Sequence, residues 1–552
     1  MPITPADSTD TPYILPRVQQ TPGSPWSPLK MPVFRLLWGT WVTANICMWM
    51  SDVAAAWMMS ALTTTPIWVA LVQTASTLPV FLLGLPSGAL ADILDRRRYF
   101  IVTQFWLAAT AAALCVAVIF DLLTPPLLLA MTFANGIGLA MRWPIFAALI
   151  PEIVPRHKLP AALALNAVAM NASRIIGPLV AGALIASAGI AYVFVLNATL
   201  SVIAGFVIMR WRRDFVPSPL GRERLLSAMR VGLQFVRESA PLRGVFLRVS
   251  LFFFHSTALL ALLPLLARRL AGGDAATYTL LLASMGAGAI TLVLVLPRLR
   301  QWLTGRQMVL AGTLLQSLSA VIMAFAPSVY LAVPTMAIAG MAWLCAANSL
   351  SVSAQMSLPD WVRARGMSMY QMAIMGGSAL GAAVWGQVAT ISSMNSSLVA
   401  SAMSGSIAML VATRLLKDNL IEEDLTPSRA FNVPATPMAP SNGPVMVTIE
   451  YLIDPERAVA FVDLMQESRS SRLRQGALSW ELLHDLEEPH RYLEQIVDES
   501  WTEHLRRFDR ITAADVALRE RKLAFHLGEE PPKITRYAVS PKQRAIAEIN
   551  DR

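Results

Sequence analysis

Twelve apolar stretches, each about as long as a bilayer is thick, limit what this chain can fold into. A bilayer core of roughly 30 Å, crossed at about 1.5 Å per residue, needs about 20 mostly apolar residues. Such stretches lie near 34–60, 66–91, 99–121, 126–150, 162–187 and 190–210, and again near 245–267, 276–297, 308–326, 329–356, 367–389 and 394–416. Each must be helical, because an open backbone in lipid leaves its N–H and C=O groups unpaired. The grouping predicts an all-α membrane body of twelve transmembrane helices in two halves, 34–210 and 245–416, around a central loop at 211–244.

Charge divides the chain into two materials. Residues 1–416 hold 27 basic and 12 acidic side chains, whereas the much shorter 417–552 holds 18 and 24. The whole chain is only 15% charged and has a mean hydropathy of +0.51. Soluble domains are about 25% charged, which excludes a single-core soluble enzyme. The basic balance belongs to the membrane body and is no argument for nucleic-acid binding. Cys47, Cys115 and Cys345 fall far apart in apolar segments, without the spacing of a disulfide framework or a metal site. The first 32 residues contain eight prolines and no apolar run, so 1–33 is expected to be a disordered arm without a cleavable signal.

Lysine and arginine in the short loops set the orientation. Alternate loops carry Arg96-Arg97-Arg98, Arg156 with Lys158, Arg298 with Arg300 and Arg306, and Arg363 with Arg365; the central break carries nine arginines from Arg210 to Arg248. The opposite loops carry none, with Arg268-Arg269 as the exception. Both termini are expected in the cytoplasm and the body in the cell (inner) membrane. An internal repeat is also legible: a shift of 204 residues carries Pro155, Gly177 and Gly182 onto Pro359, Gly381 and Gly386. Glycines so placed allow close helix approach, and two similar halves predict a site between them.

The turn after the second stretch reads Gly88-Ala-Leu-Ala-Asp92-Ile-Leu-Asp-Arg96-Arg97-Arg98. It resembles the loop signature of the major facilitator superfamily, matching at Gly88, Leu90, Ala91, Asp92, Arg96 and Arg97 and departing at Ile93 and Asp95. The run Leu149–Gly182 and the segment Ser357–Gly366 look like the enterobactin-exporter branch and related drug/proton antiporters. The resemblance implies that Asp92 locks the cytoplasmic ends of the halves together, facing a helix that starts near Gly366, with Arg96 and Arg97 tying the loop down. Gly177-Pro178-Leu-Val-Ala-Gly182 resembles part of an antiporter signature, read either as an exporter feature or as close packing alone.

Asp52, Arg142 and Arg174 are the ionisable residues placed well inside apolar segments, and His255 joins them as a polar group. A charge at mid-bilayer costs on the order of 2.5–3.5 kcal/mol, so each should face protein or water. Two arginines outnumber the one acid. The surplus suits an anionic or oxygen-rich substrate. Asp52 is the candidate proton site, or else an interface residue; Arg174 contacts substrate or bonds between helices; Arg142 contacts substrate or snorkels. No lysine follows a glycine, so no ATP phosphate loop is present. No cofactor and no metal are expected.

Five prolines from Pro427 to Pro444 mark a linker over 417–444. Beyond it, alternation such as Val-Thr-Ile-Glu-Tyr predicts strand, helix, strand, strand, helices, strand over 445–540, with a tail at 541–552. That order implies an α+β ferredoxin-like domain, similar to the antibiotic-biosynthesis-monooxygenase type. Such domains pair through their sheets, which makes a homodimer the expected partner state. Trp480, His484 and His490 are the side chains that would suit catalysis; a dimerising or regulatory module is the preferred reading. The expectation is therefore a non-enzymatic, alternating-access exporter of a bulky siderophore or drug-like molecule, coupled to proton antiport. An importer of the same fold and a membrane-tethered monooxygenase or sensor are the rivals.

Overall fold

The computed structural model describes residues 26–155, 158–211, 225–270, 273–416, 424–428, 430 and 443–538. Residues 1–25 and 539–552, Arg156 and the arginines between 212 and 224 lie outside the described residues. The first half of the body comprises α1 (Pro32–Leu62), α2 (Pro66–Ile93), α3 (Arg96–Ile119), α4 (Pro125–Ile153), α5 (Leu159–Ser187) and α6 (Ala191–Arg210). The second comprises α8 (Ala240–Arg269), α9 (Ala275–Trp302), α10 (Gly305–Phe325), α11 (Val329–Met356), α12 (Asp360–Ile391) and α13 (Met394–Leu415), with α7 (Leu225–Glu238) between the halves. Ten of these helices, among the described residues, are long and apolar enough to cross a membrane; α1 and α4 are not among the ten.

Local chemistry fixes where these helices start. Proline occupies the first turn of α1, α2, α4, α5 and α8, where its missing N–H has no helical partner in any case. Asp95 caps α3 by accepting from Arg97 N–H at 2.9 Å, and Asp274 caps α9 by accepting from Thr277 N–H at 2.8 Å. Thr304 and Gln307 form a capping box at α10. Asp95, a departure from the loop signature, thus serves the following helix.

Three expectations need correction. The central break is not a plain loop: α7 lies within it, and α8 starts at Ala240, ahead of the expected 245. Arg230, Gln234, Arg237 and Glu238 lower the mean hydropathy of α7 and hide it from a hydropathy reading. The arm does not run to residue 33, since Ser27–Lys30 form a 3-10 turn and α1 begins at Pro32. The helix expected near Gly366 begins at Asp360; Gly366 lies in its second turn, against the Leu358 side chain.

The repeat glycines set the packing of the halves. A Cβ on Gly177 would stand 2.4 Å from Trp49 Cβ on α1, and one on Gly381 would stand 2.0 Å from the Phe254 carbonyl oxygen on α8. Both contacts lie within one half. A Cβ on Gly182 would stand 2.0 Å from Thr279 Oγ1 on α9, and one on Gly386 would stand 2.4 Å from Ala70 Cβ on α2. Both of these lie between halves. In each copy the first glycine seats its helix on its own half and the second seats it on the other. One large apolar cluster, including Met59, Val69 and Phe194 with Leu262, Leu266 and Trp385, joins the halves at the end remote from the arginine-bearing loops. The clusters nearer the arginine-bearing end each belong to a single half. We call these the opposite end and the basic end.

The tail domain is a sheet covered by helices. Its elements run β1 (Val445–Leu452), α14 (Ala458–Arg474), β2 (Ser479–His484), β3 (Arg491–Asp498), α15 (Trp501–Asp509), α16 (Ala513–Leu523) and β4 (Ile534–Ala538). The strand order is β2-β3-β1-β4 and every pairing is antiparallel. Alternation along β3 buries Tyr492, Glu494, Ile496 and Asp498 on one face. Part of the linker belongs to this domain: Ser428 N–H donates to the Ile511 carbonyl at 2.9 Å, and Ala513 N–H to that of Thr426 at 3.0 Å.

Leucine in place of Gly182 or Gly386 should lower the thermal midpoint of the purified protein, since overpacking costs about 1–3 kcal/mol. Gly39→Leu is the control, because a Cβ there meets no atom within 4 Å. Equal midpoints for the three variants would contradict the glycine contacts.

Candidate functional site between the halves

Arg174 brings both halves together at mid-depth. It lies near the middle of α5, and its guanidinium stacks over the Trp49 ring of α1 at 5.1 Å and the Trp343 ring of α11 at 4.2 Å. Each tryptophan is itself near the middle of its helix, so the cluster lies about halfway across the body. Cation–π contacts of this kind contribute about 0.5–2 kcal/mol each. They occupy the faces of the guanidinium and leave its in-plane N–H donors free. Among the described residues Arg174 has no hydrogen bond and no ion pair, and it is only partly buried. An oxyanion approaching in the guanidinium plane would find donors in fork geometry. Trp343 escaped sequence reasoning, being one of 15 tryptophans with no distinguishing spacing.

Asp52 stands one turn beyond Trp49 on α1, about 4.5 Å toward the opposite end. It is half-buried, lies within electrostatic reach of Tyr278 on α9, and has no ion-pair partner among the described residues. The neighbouring Ser51 accepts a hydrogen bond from Asn197 of α6. Asp52 therefore sits where the halves meet.

A second set of contacts shuts the opposite end. Arg268 of α8 stacks over Trp57 of α1 at 4.2 Å and donates from Nε to Ser60 Oγ at 2.9 Å. Trp57 also stacks on Tyr278 at 5.8 Å. Arg269 donates to Asn395 Oδ1 and, at 3.2 Å, to the Ala324 carbonyl. The two arginines that break the loop-charge pattern are thus committed to joining helix ends, one of them across the halves. Next to them α2 meets α12, where Thr74 donates to the Ala379 carbonyl at 2.9 Å and Ile67 N–H to Thr390 Oγ1 at 3.0 Å.

The remaining candidates are not brought to this interface. Arg142 is 2% exposed, donates to the Ala44 carbonyl at 3.4 Å and lies over Trp41, which stacks on Phe146. It ties α4 to α1 within the first half. His255 bonds through Nδ1 to the Leu251 carbonyl at 2.7 Å. It lines a cavity of about 20 Å³ inside the second half, beside the unpartnered polar atoms of Gln316 and Ser256. A groove of about 330 Å³ runs between α10 and α13. Neither hollow lies between the halves.

Of the loop signature, Gly88 and Asp92 fall in the last turns of α2, and the Asp92 side chain lies outside the described structure. Arg97 donates to the Met209 carbonyl at the end of α6, so it ties the loop down within its own half. Arg96 opens α3. Pro178 is buried on α5, between Gly177 and Gly182.

In the tail domain two of the side chains that would suit catalysis, Trp480 and His484, are otherwise engaged. Trp480 Nε1 donates to Glu494 at 2.9 Å, and His484 stacks on Tyr492 and bonds to the Pro489 carbonyl. His490 is exposed. Glu494, fully buried, also accepts from Tyr451 and Ser468 and pairs with Arg472 and Lys522. Burial alone would push its carboxyl up, but the two cations and the hydrogen bonds hold it well below the usual carboxylate range. These donors leave Glu494 ionised and saturated, a poor general acid or base near neutral pH.

Trp57→Ala should loosen the opposite end, by removing one cation–π contact and one aromatic stack worth about 1–3 kcal/mol together. A cysteine in place of the fully buried Leu262 should then react with a membrane-impermeant maleimide several-fold faster. Unchanged labelling would reject the lock.

Comparison with known proteins agrees with this geometry. No curated protein matches the chain in sequence. Among solved structures it is similar to a POT family transporter in complex with 5-aminolevulinic acid, with a TM-score of 0.56 and 11% identity, covering 69% of this chain and 95% of that one. It is also similar to a bacterial homologue of the human lysosomal transporter Spinster in an inward-facing, unoccupied conformation, with a TM-score of 0.54 and 16% identity, covering 70% and 95%. The nucleoside transporter NupG gives 0.55 and 13%, covering 69% and all of that chain. At these identities the likeness shows the fold. The profile of the transmembrane secretion effector family matches residues 23–545, running through the tail domain as well. The chain belongs to that family, and is a multi-pass membrane transporter of the major facilitator type.

Proposed function

We propose that the chain exports a bulky anionic or oxygen-rich small molecule, of siderophore or drug-like kind, from the cytoplasm in exchange for protons. The observation that carries this reading is Arg174, a mid-depth cation clasped by indoles from both halves and, among the described residues, without an acidic partner. An anionic cargo drawing on its in-plane donors would replace contacts that now bridge α5 and α11, which links binding to the separation of the halves. Asp52, one turn away on the path to the opposite end, would take up a proton as the halves part and release it as they close. A proton gradient supplies about 2.3 kcal/mol per charge per 100 mV, comparable to the contacts that must break.

In this reading α1 and α4 also cross, giving twelve spans in the inner membrane, with both termini on the arginine-rich cytoplasmic side. Asp92, with Gly88, Arg96 and Arg97, forms the cytoplasmic gate. Gly177, Pro178 and Gly182 shape the helix that moves past α9, and Arg142 braces α1 behind the site. The clusters confined to single halves at the basic end support a conformation closed outside and ready to open inward. The tail is a ferredoxin-like module, a reading supported by its strand order and by helices on one face. Leu483 and Tyr537 on the other face are 43% and 53% exposed, which supports pairing with a second copy.

Everted vesicles acidified inside should accumulate an organic-anion probe, and Arg174→Gln should reduce that uptake at least about tenfold, as expected for losing a charged hydrogen-bond partner. Loss of probe from preloaded vesicles under the same gradient would mean import. Asp52→Asn should abolish pH-driven uptake while leaving energy-independent exchange; unchanged pH dependence would reject the proton role.

A further inference from the structure

The helix inside the central break carries two faces with different partners. Phe235 and Val236 of α7 pack with Leu358, Val362 and Met369, and Phe235 meets Trp361 edge-on at 5.6 Å, so this face lies on the first turns of α12. Helix α7 also touches α8 and, in the other half, α2. It is a strut across the basic end, between the two helices whose contact joins the halves.

The other face is a stripe at helical spacing, Arg230, Gln234 and Glu238, and it meets the tail domain. Arg230 pairs with Glu499 at 3.0 Å. Gln234 Nε2 donates to the Ala477 carbonyl at 2.8 Å, and Glu238 pairs with Arg469 at 3.7 Å. A fourth contact reaches α12 directly: Arg510, fixed by Glu503 at 2.9 Å and the Gln475 carbonyl at 2.7 Å, lies over Trp361 at 5.1 Å. The approach is close. Gly476, with φ of 108°, faces Val231 so nearly that a Cβ would stand 2.9 Å from it.

We infer that the tail domain is a built-in brace: docked on the Arg230–Gln234–Glu238 stripe and on Trp361, it pins α7 against α12 and so limits how far the basic end of the transporter opens. Chemistry and placement agree. The stripe's ion pairs are partly exposed, and together with the buried Arg510–Trp361 contact they make a small interface that releases without unfolding either domain. Their target is the foot of α12, whose upper length carries the Gly386 and Ala379 contacts to α2. A tilt of α12 relative to α2 has to carry or release the tail.

The test uses the full chain in lipid nanodiscs with charge-reversed pairs. Spin labels at Lys158→Cys and Arg306→Cys, at the basic ends of α5 and α10 in opposite halves, report the basic-end separation. Arg230→Glu or Glu499→Arg alone should speed amide exchange in 229–238 and 476–479 about fivefold or more and add a longer population to the label distances. The double reversal, Arg230→Glu with Glu499→Arg, should restore both. The inference is overturned if exchange rises in the single variants while label distances stay the same. It is equally overturned if neither readout moves, or if the double reversal fails to restore the single-variant defects. Failure of organic-anion uptake in vesicles would leave these distances as they are, so the two readings fail separately.

Discussion

Close approach of α5 and α12 to helices of the other half is the constraint on which the membrane body depends. At Gly182 and Gly386 the approach leaves no room for a side-chain carbon. Lipid tails are as apolar as leucine, so burying leucines would not draw two bundles together in a membrane; small residues and tight packing do. Because each of these helices also carries a glycine that seats it on its own half, the halves stay intact units while meeting along a narrow seam. That is the mechanical requirement for two bundles that rock instead of fusing.

The seam distributes its chemistry by depth. At the opposite end Arg268, Trp57, Ser60 and Tyr278 close it with contacts that combine packing and charge. At mid-depth Arg174 joins Trp49 and Trp343 through its faces while its edge donors stay free. Asp52 lies between these two levels. The second half of the chain, by contrast, confines its own polar hollow around Gln316 and His255 to its interior, away from the seam.

Much of this was legible in sequence because it is periodic. Apolar runs marked the long helices, the 204-residue shift found the glycines, and period-two alternation marked β1 and β3. What escaped is what periodicity does not encode. Helix α7 mixes Arg230 and Arg237 with Val231, Phe235 and Val236, so its mean hydropathy reads as loop although its residues sort cleanly onto two faces; a helical-wheel reading would have found it. Arg268 and Arg269 read as an exception to the loop-charge rule, since the pairing that justifies them spans more than 200 residues to Ser60. Asp95 read as a defect in a motif because its cap on α3 is local and unrelated to the signature. Trp343 carried no signal; only the fold brings it to Arg174.

The tail domain shows the same division. Its strands were visible, but the ionic core around Glu494, built from Arg472, Lys522, Trp480, Tyr451 and Ser468, draws on four separate elements and has no linear trace.

The most direct test of the central claim is whether position 174 is reached from the two sides of the membrane in turn. A cysteine replacing Arg174, probed with impermeant maleimide in oriented proteoliposomes, should be labelled from either face. A disulfide between cysteines replacing Ile67 and Thr390, which meet across the halves at 3.0 Å, should abolish labelling from the opposite end and leave labelling from the basic end. Access from one face only whether or not that disulfide is formed, or from neither face, would contradict two bundles moving about a shared seam.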